Sequence, residues 1–424
     1  MTDGKTFALV DCNNFFVSCE RVFQPHLENR PVMVLSSNDG CIVARSNEVK
    51  ALGIKMGQPI YQVRDLVLKH DIATFSSNFT LYQDMSRRVM NILEASCPQL
   101  EVYSVDEAFL DVSNMAFTDL QSYGEMLRDR MRQWVGMPIS VGFGASKTLA
   151  KLANHIAKKD PAQKNVYDLT AQPDQDAVLR QINVGDIWGV GRRWSRMLQA
   201  QGIFSALDLK QAPPAWVRQR MGVIGARLHS ELNGVACIGL DHTPAAKKTT
   251  VVSRTFGKQI TELAELQEAV ATFAANAARK IRRDSQHTGA ISVFINTNRF
   301  DRDNYYSNSA VHVFAEPCND TVSIIKAAHK VLESIYKPGH RYIRAGVCLL
   351  DLSPIAHQQR DLFAYGQKVS SEQAQLMQSL DQINRRFGRG SLVFGAMGVR
   401  QNWMTRCAKR SRHYTSRWDE LLRV

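Results

Sequence analysis

Two consecutive acids, Asp106 and Glu107, break a run of strand-forming residues, Val102-Tyr103-Ser104-Val105-Asp106-Glu107-Ala108-Phe109-Leu110-Asp111-Val112. β-Branched and aromatic residues on both sides of a short polar break read as the two strands of a hairpin. A second apolar run, Phe7-Ala8-Leu9-Val10, ends in Asp11. Carboxylates that finish apolar strands are costly unless something pairs with them. The chain must therefore fold so that these acids meet cations. A concentrated acidic site in a chain of formal charge +13 points to bound metal and a phosphate-rich substrate.

The pattern around these acids sets the fold class, α+β. The residues predict a strand over Thr6–Val10, then a helix from about Asn14 to Val22 with Asn13 as its cap. Later come a helix (Leu81–Ala95), the hairpin (Glu101–Val105 and Ala108–Val112), a helix (Asp119–Val135), a strand (Ile139–Phe143) and a helix (Lys147–Ala157). Together they spell β-α-β-β-α-β, a split ferredoxin-like sheet. The Pro31–Leu35 strand, the Ser36-Ser37-Asn38-Asp39-Gly40 turn and a Ser46–Leu52 helix form an insertion within it.

Residues 170–240 read as mostly helical. A second β-α-β-β-α-β pattern follows, with strands at Thr249–Phe256, Gly289–Asn296, Ser309–Phe314 and Tyr342–Asp351 and helices at Glu262–Arg283 and Asp320–Tyr336. Beyond Ser353 the residues turn polar, Gln-rich and basic, as a linker or tail does. From Ala356 onward twelve Lys/Arg face five Asp/Glu, so about half of the net charge lies there.

A chain of 424 residues exceeds one ordinary core, which implies several domains. No apolar run reaches the roughly 18 residues of a membrane helix, and Met1-Thr2-Asp3-Gly4-Lys5 does not open a secretory signal. The eight cysteines are scattered, with no CxxC and no zinc-ligand spacing to histidine. Reduced thiols in a cytoplasmic protein are expected.

In the predicted sheet Asp11 lies near the hairpin turn. Three carboxylates at that distance repel unless cations neutralise them. Two Mg²⁺ ions about 3.5–4 Å apart, bound by Asp11, Asp106 and Glu107 with the Cys12 carbonyl as a further ligand, would meet that need. Asp-Glu-Ala-Phe also resembles the Walker B acids of helicases. The nearest phosphate-loop candidate, Gly142-Phe143-Gly144-Ala145-Ser146-Lys147-Thr148, has Ser146 at its second glycine position and follows the acids, which excludes that reading.

Phe15 and Phe16 are adjacent on the first helix and face different ways, one into the core and one toward the pocket beside Asp11. A ring there lies under a nucleotide sugar and excludes a ribose 2′-hydroxyl. Lys50 and Lys158 end short helical stretches at the rim, as point charges for phosphate. Gly185–Leu209 reads as a helix-hairpin-helix: Gly189 and Gly191 let backbone approach a phosphate, and Arg192 and Arg193 add charge. Gln359-Arg360-Asp361-Leu362-Phe363 places a Leu-Phe pair in a polar stretch, a peptide anchor for a partner's hydrophobic pocket.

On these residues the chain resembles the Y-family translesion DNA polymerases. The resemblance spans essentially the whole chain. It rests on Phe7–Asp11 with Phe15-Phe16, on Tyr103–Phe109 and on Lys147–Asn154. Ser36–Cys41 and the C-terminal Tyr414–Trp418 and Leu421–Val424 are similar to the UmuC branch of that family. The resemblance implies a right-hand polymerase: palm over 1–24 and 76–168, small fingers over 25–75, helical thumb over 169–242, ferredoxin-like little finger over 243–355, and a basic clamp-binding and partner-binding tail over 356–424.

It further implies two Mg²⁺ at Asp11, Asp106 and Glu107, Phe16 as steric gate, and triphosphate contacts at Lys50 and Lys158. Gln359, Leu362 and Phe363 match its sliding-clamp peptide, with Arg360 where leucine is common. Asn47 stands where several relatives have tyrosine, and Asn13 where some have aspartate. The implied partners are primer-template DNA, dNTP, the sliding clamp, a UmuD′-like dimer and a RecA-like filament. No membrane is involved, and the implied location is cytoplasmic, associated with the nucleoid.

The expected reaction is template-directed deoxynucleotidyl transfer past damaged bases in the SOS response. The alternatives are a palm-type nucleotide cyclase, which needs no DNA-gripping hairpin, second sheet or clamp peptide, and an inactive DNA-binding accessory subunit, against which all three acids speak.

Overall fold

The computed structural model describes residues 4–115, 119–241, 245–357 and 371–422. They form two compact units, one comprising Met1–Ser36, Gly40–Pro244 and Lys409–Val424, the other Ser37–Asp39 and Ala245–Ala408.

In the first unit β1 (Phe7–Cys12) leads into α1 (Phe15–Phe23). A small insertion follows: β2 (Val32–Leu35), β3 (Ile42–Arg45), α2 (Asn47–Ala51), α3 (Arg64–Lys69) and β4 (Ala73–Ser76). Its sheet has the order β3-β2-β4 and covers its own core of Met33, Leu35, Ile42, Val49 and Ile54. The main sheet resumes with α4 (Phe79–Ser96), β5 (Leu100–Val102), β6 (Glu107–Asp111), α5 (Leu120–Val135), β7 (Ile139–Gly144), α6 (Lys147–Lys159) and β8 (Val166–Asp168).

The strand order β5-β6-β1-β7-β8 is the expected split β-α-β-β-α-β sheet with one strand added. β1 pairs antiparallel with β6 and β7, β5 pairs antiparallel with β6, and β8 adds parallel to β7. β1 is buried along its whole length, as the central strand of a sheet covered on both faces must be.

Local chemistry sets the helix ends. Ser46, Asn78, Asp119 and Ser146 accept backbone N–H bonds at the starts of α2, α4, α5 and α6. The cap position of α1 is Asn14, in a left-handed conformation (φ 48°) and without a side-chain cap bond, one residue later than the expected Asn13. Asn13 instead accepts a bond from Ser18 Oγ at its carbonyl (2.7 Å).

Two glycines of β7 govern how close α6 lies. A Cβ on Gly142 would stand 2.1 Å from Asn154 N, and one on Gly144 2.5 Å from Ala150 N. Backbone-to-backbone packing at that range admits no side chain, and it lays α6 flat along the sheet.

The helical stretch comprises α7 (Gln175–Arg180), α8 (Arg192–Gln199), α9 (Ala206–Gln211) and α10 (Pro214–Leu232). Its core, Leu179, Leu198, Leu207 and Leu228 among others, is shared with Leu149 and Leu152 of α6.

The second unit runs β9 (Thr250–Ile260), α11 (Leu263–Arg283), β10 (Gln286–Asn296), β11 (Ser307–Cys318), α12 (Thr321–Ile335), β12 (Tyr342–Pro354) and α13 (Ser371–Arg386). The chain order is the expected β-α-β-β-α-β, but the spatial order, β11-β10-β12-β9, differs from that of the first sheet. The apolar strands β10 and β12 take the centre. Polar and basic β9 (Arg254, Lys258) and β11 (Ser307, Asn308, His312) take the edges, where solvent covers one side.

The expected tail is folded over 371–422. Arg282 forks onto Asp381 of α13 with bonds of 2.8 and 2.9 Å. Trp403 is buried against Phe256 and Phe273 (ring centroids 6.2 and 5.4 Å). Residues from Lys409 on belong to the first unit, where Tyr414 stacks on Phe23 at 4.9 Å. Three apolar anchors, Met377, Trp403 and Tyr414, are too widely spaced to leave a periodic signal in a polar segment.

Candidate active site

The register of β1 against β6 sets Asp11 opposite Glu107, and Cys12 N donates to the Asp106 carbonyl at 2.9 Å. Sheet pairing thus brings Asp11 and Glu107 together and sets the Asp106 backbone beside Cys12 at the same strand edge. Asp11 and Glu107 are in hydrogen-bond contact. Burial is the main cause that pushes the Asp11 carboxyl up to about 7, and the Glu107 contact adds to it against the pull of Lys158. Burial also acts upward on Glu107, but the bond from Asp11 and the charges of Lys151 and Lys158 outweigh it and hold Glu107 below its usual range. The two carboxyls are therefore pushed apart, Asp11 upward and Glu107 downward.

Asp106 is half-buried at the turn. Its Oδ1 accepts from Ser104 Oγ at 2.6 Å, and that hydroxyl accepts from the backbone N–H groups of Asp106 and Glu107. Burial, with Asp11 and Asp106 nearby, raises the Cys12 thiol far above its ordinary range. The thiol is a core group, and only the carbonyl has ligand chemistry.

The cations come from α6, which Gly142 and Gly144 admit against the sheet. Lys158 Nζ lies 2.5 Å from Asp11 Oδ1, and Lys151 Nζ lies 3.0 Å from Glu107 Oε2, two turns apart on one helix face. Among the described residues no three His, Cys, Asp or Glu side chains stand together as a metal cage. The lysines hold these carboxyls instead. The donor set nevertheless fits a hard divalent cation. Two carboxyls in contact, one of them pushed up by burial, are relieved by a +2 charge.

Lys50, at the end of α2, donates to Asn14 Oδ1 (2.6 Å) and Asn47 Oδ1 (3.1 Å). Its pKa is lowered by burial and then by the charges of Arg45 and Lys158. Three cations therefore share this edge, and a polyanion would relieve their repulsion. Arg45 is not evident from the sequence. Its guanidinium bonds the Ile54 carbonyl while Nε is buried without a partner.

The adjacent phenylalanines divide as their helical spacing requires. Phe15 is 4% exposed, within the core. Of the two, Phe15 is thus the ring that enters the core, where it packs and does not line a nucleotide pocket. Phe16 is half-buried and stacks on Tyr82 at 4.5 Å and 14°, with Phe79 at its edge.

Lys151 also escapes a reading by sequence. Its Nζ sits 4.6 Å over the Tyr103 ring and 5.4 Å from Trp188, whose Nε1 donates to Tyr103 Oη at 3.3 Å. The available signal is its spacing on α6 from Lys147, which is 2% exposed and paired with Glu101 at 2.5 Å. At the expected helix-hairpin-helix, Gly189 has φ +88°, which favours glycine, whereas Gly191 is extended and heads α8. Arg192 and Arg193 are exposed on the first turn of α8. Gln359, Leu362 and Phe363 lie outside the described residues.

Residues 10–155 match the impB/mucB/samB family, residues 247–362 that family's C-terminal domain, and residues 374–424 a domain described only as of unknown function. Protein UmuC of Salmonella typhimurium is 42% identical, over 99% of this chain and 100% of its own. Protein ImpB of Salmonella typhimurium is 40% identical over 98% of both chains. DNA polymerase IV of Moorella thermoacetica is 29% identical over 90% of this chain and 93% of its own. Among solved structures, a Y-family DNA polymerase chimera superposes with a TM-score of 0.65 at 21% identity, covering 82% of this chain and 99% of its own, a likeness of fold.

Proposed function

The chain belongs to the impB/mucB/samB family, and from that premise we propose that it is an error-prone, Y-family translesion DNA polymerase that extends a primer past damaged template bases. The observation that carries this is the Asp11–Glu107 pair, built by β1–β6 register and faced by Lys151 and Lys158 from α6. The cyclase and accessory-subunit readings gain no support from the comparisons.

A pair of Mg²⁺ ions held by Asp11, Asp106, Glu107 and the Cys12 carbonyl would supply activation of the primer 3′-hydroxyl and neutralisation of charge on the leaving pyrophosphate. The side chains do the rest. Lys158 must leave Asp11 before that carboxylate can serve as a ligand. Freed there, Lys158 joins Lys50 and Arg45 as the triphosphate's counter-charge. Lys151 stays on Glu107 and keeps it ionised, its own position fixed by the Tyr103 and Trp188 rings. Phe16 presents its ring to the sugar and excludes a 2′-hydroxyl.

Residues 1–24 with 76–168 act as palm, 25–75 as fingers, 169–242 as thumb, 243–355 as little finger and 356–424 as a partner-binding tail. The thumb's Gly189 turn and Arg192-Arg193 grip the primer-template backbone without reading bases. Gln359, Leu362 and Phe363 bind the sliding clamp. A UmuD′-like dimer and a RecA-like filament are the remaining partners, in the cytoplasm at the nucleoid. No helix among the described residues is long and apolar enough to cross a membrane.

The test is primer extension with labelled dNTP, with and without an abasic site, using the wild-type chain, Asp106→Ala and Glu107→Ala. Extension by the wild type and its loss in both variants is expected. Undiminished synthesis in either variant overturns the assignment.

A further inference from the structure

Phe16 and Glu20 lie one turn apart on the same face of α1, and one side chain spans both. Tyr82 of α4 stacks its ring on Phe16 and donates its hydroxyl to Glu20 Oε1 at 2.7 Å. Glu20 is fully buried. A second hydroxyl, Ser411 Oγ, donates to the same Oε1 at 3.0 Å, while Oε2 has no partner. The carboxyl is therefore held at one oxygen by two donors, one from α4 and one from near the C-terminus.

Ser411 belongs to a short strap that is itself tied down. Lys409 N donates to Ser76 Oγ at 2.9 Å, and Ser76 N donates to the Lys409 carbonyl at 3.0 Å. Asn78 is buried and serves two masters. Its Oδ1 caps the first turn of α4, and its Nδ2 donates to Ser411 Oγ (3.0 Å) and to the Ser411 and Arg412 carbonyls (3.2 Å each). The strap thus fixes both the start of the helix that carries Tyr82 and the carboxyl that orients its hydroxyl. Phe16 has no polar group of its own to set its ring plane, so its orientation follows from the stacked Tyr82.

We propose that Tyr82, Glu20 and Ser411 are positioning residues that hold the plane of Phe16, so that the C-terminal strap sets how strictly the site rejects a ribose. This rests on the reading of the chain as a DNA polymerase with Phe16 facing the sugar. It assigns a role to one residue, Ser411, of the segment matched by a domain of unknown function.

The test uses the full-length chain on a primer-template and compares kcat/KM for a ribonucleotide with kcat/KM for its deoxy counterpart. That ratio is internal to each preparation, so a fall in active fraction or in stability cancels. Tyr82→Phe keeps the stacked ring and removes the hydroxyl, and the ratio should rise up to about tenfold, the upper end for one hydrogen bond. Ser411→Ala should raise it by roughly threefold, and Ser411→Thr, which restores a hydroxyl, should bring it back.

Phe16→Ala is the control and should raise the ratio most. If Phe16→Ala raises it while Tyr82→Phe and Ser411→Ala leave it at the wild-type value, the positioning proposal is overturned and the gate stands. An unchanged ratio in Phe16→Ala overturns the gate and the proposal together. A wild-type chain that adds no deoxynucleotide overturns the polymerase reading beneath both.

Discussion

Glu20→Gln tests the buried network by its pH dependence. Burial pushes the Glu20 carboxyl up from 4.5 to about 7, against the opposing pull of its bonds from Tyr82 and Ser411. The unfolded chain releases this proton near 4.5, and the folded chain keeps it to about 7. Between those values the folded state binds more protons, so stability falls as pH rises. The contribution is fully present below 4.5 and lost above about 7. At about 1.4 kcal/mol per pH unit the loss is about 3 kcal/mol.

Glutamine keeps the accepting oxygen, fills the same volume and does not titrate in this range. Its amide nitrogen inherits the partnerless Oε2 position, at a pH-independent cost of about 1–3 kcal/mol. Urea unfolding of both proteins from pH 4.5 to 8, followed by circular dichroism and tryptophan fluorescence, should show the stability difference moving by about 3 kcal/mol in favour of Gln across the range. Asp11 titrates alike in both proteins and drops out of the difference. A difference that stays flat with pH would refute the claim that burial governs Glu20.

Lys147→Met leaves the half-buried Glu101, among the described residues, with only its Asp241 N–H donor, and should cost about 2–4 kcal/mol in urea unfolding; adding Glu101→Gln should recover part of it, since the unpaired carboxylate is what costs. Arg192→Ala with Arg193→Ala should weaken binding to any primer-template and reduce the slope of log K against log salt by about two, measured by fluorescence anisotropy. Trp403→Ala should destabilise the second unit by about 3–5 kcal/mol in thermal unfolding. Trp403→Phe should cost less, because the indole N–H it removes has no partner.

The parts of the fold that were legible in the residues are those written in local periodicity. Strands β1, β6, β7, β10 and β12 are apolar runs bounded by turns, and α5, α11 and α12 are amphipathic with clear stops. The three acids were legible because each ends such a run. Short strands were not. β4 and β8, at four and three residues, carry too few positions for a pattern and exist because a neighbouring strand offers its free edge. The strand order of the second sheet was not legible either. Its chain order is compatible with two pairings, and competition among strands for the buried centre selects between them. Arg45 and Lys151 lie in unremarkable runs, and only their neighbours in space mark them.

The residues alone determined that Asp11, Asp106 and Glu107 end strands of one sheet, that Phe15 and Phe16 face apart, and that the chain is basic enough to seek a polyanion. Tertiary structure decided which cations answer those acids, which phenylalanine stays at the pocket, and that a polar, apparently loose C-terminus is a folded strap. The reason is one of range. Period and turn chemistry act over a few residues, whereas a lysine's partner, a ring's plane and the anchoring of Ser411 on Glu20 depend on contacts between segments that only packing brings together.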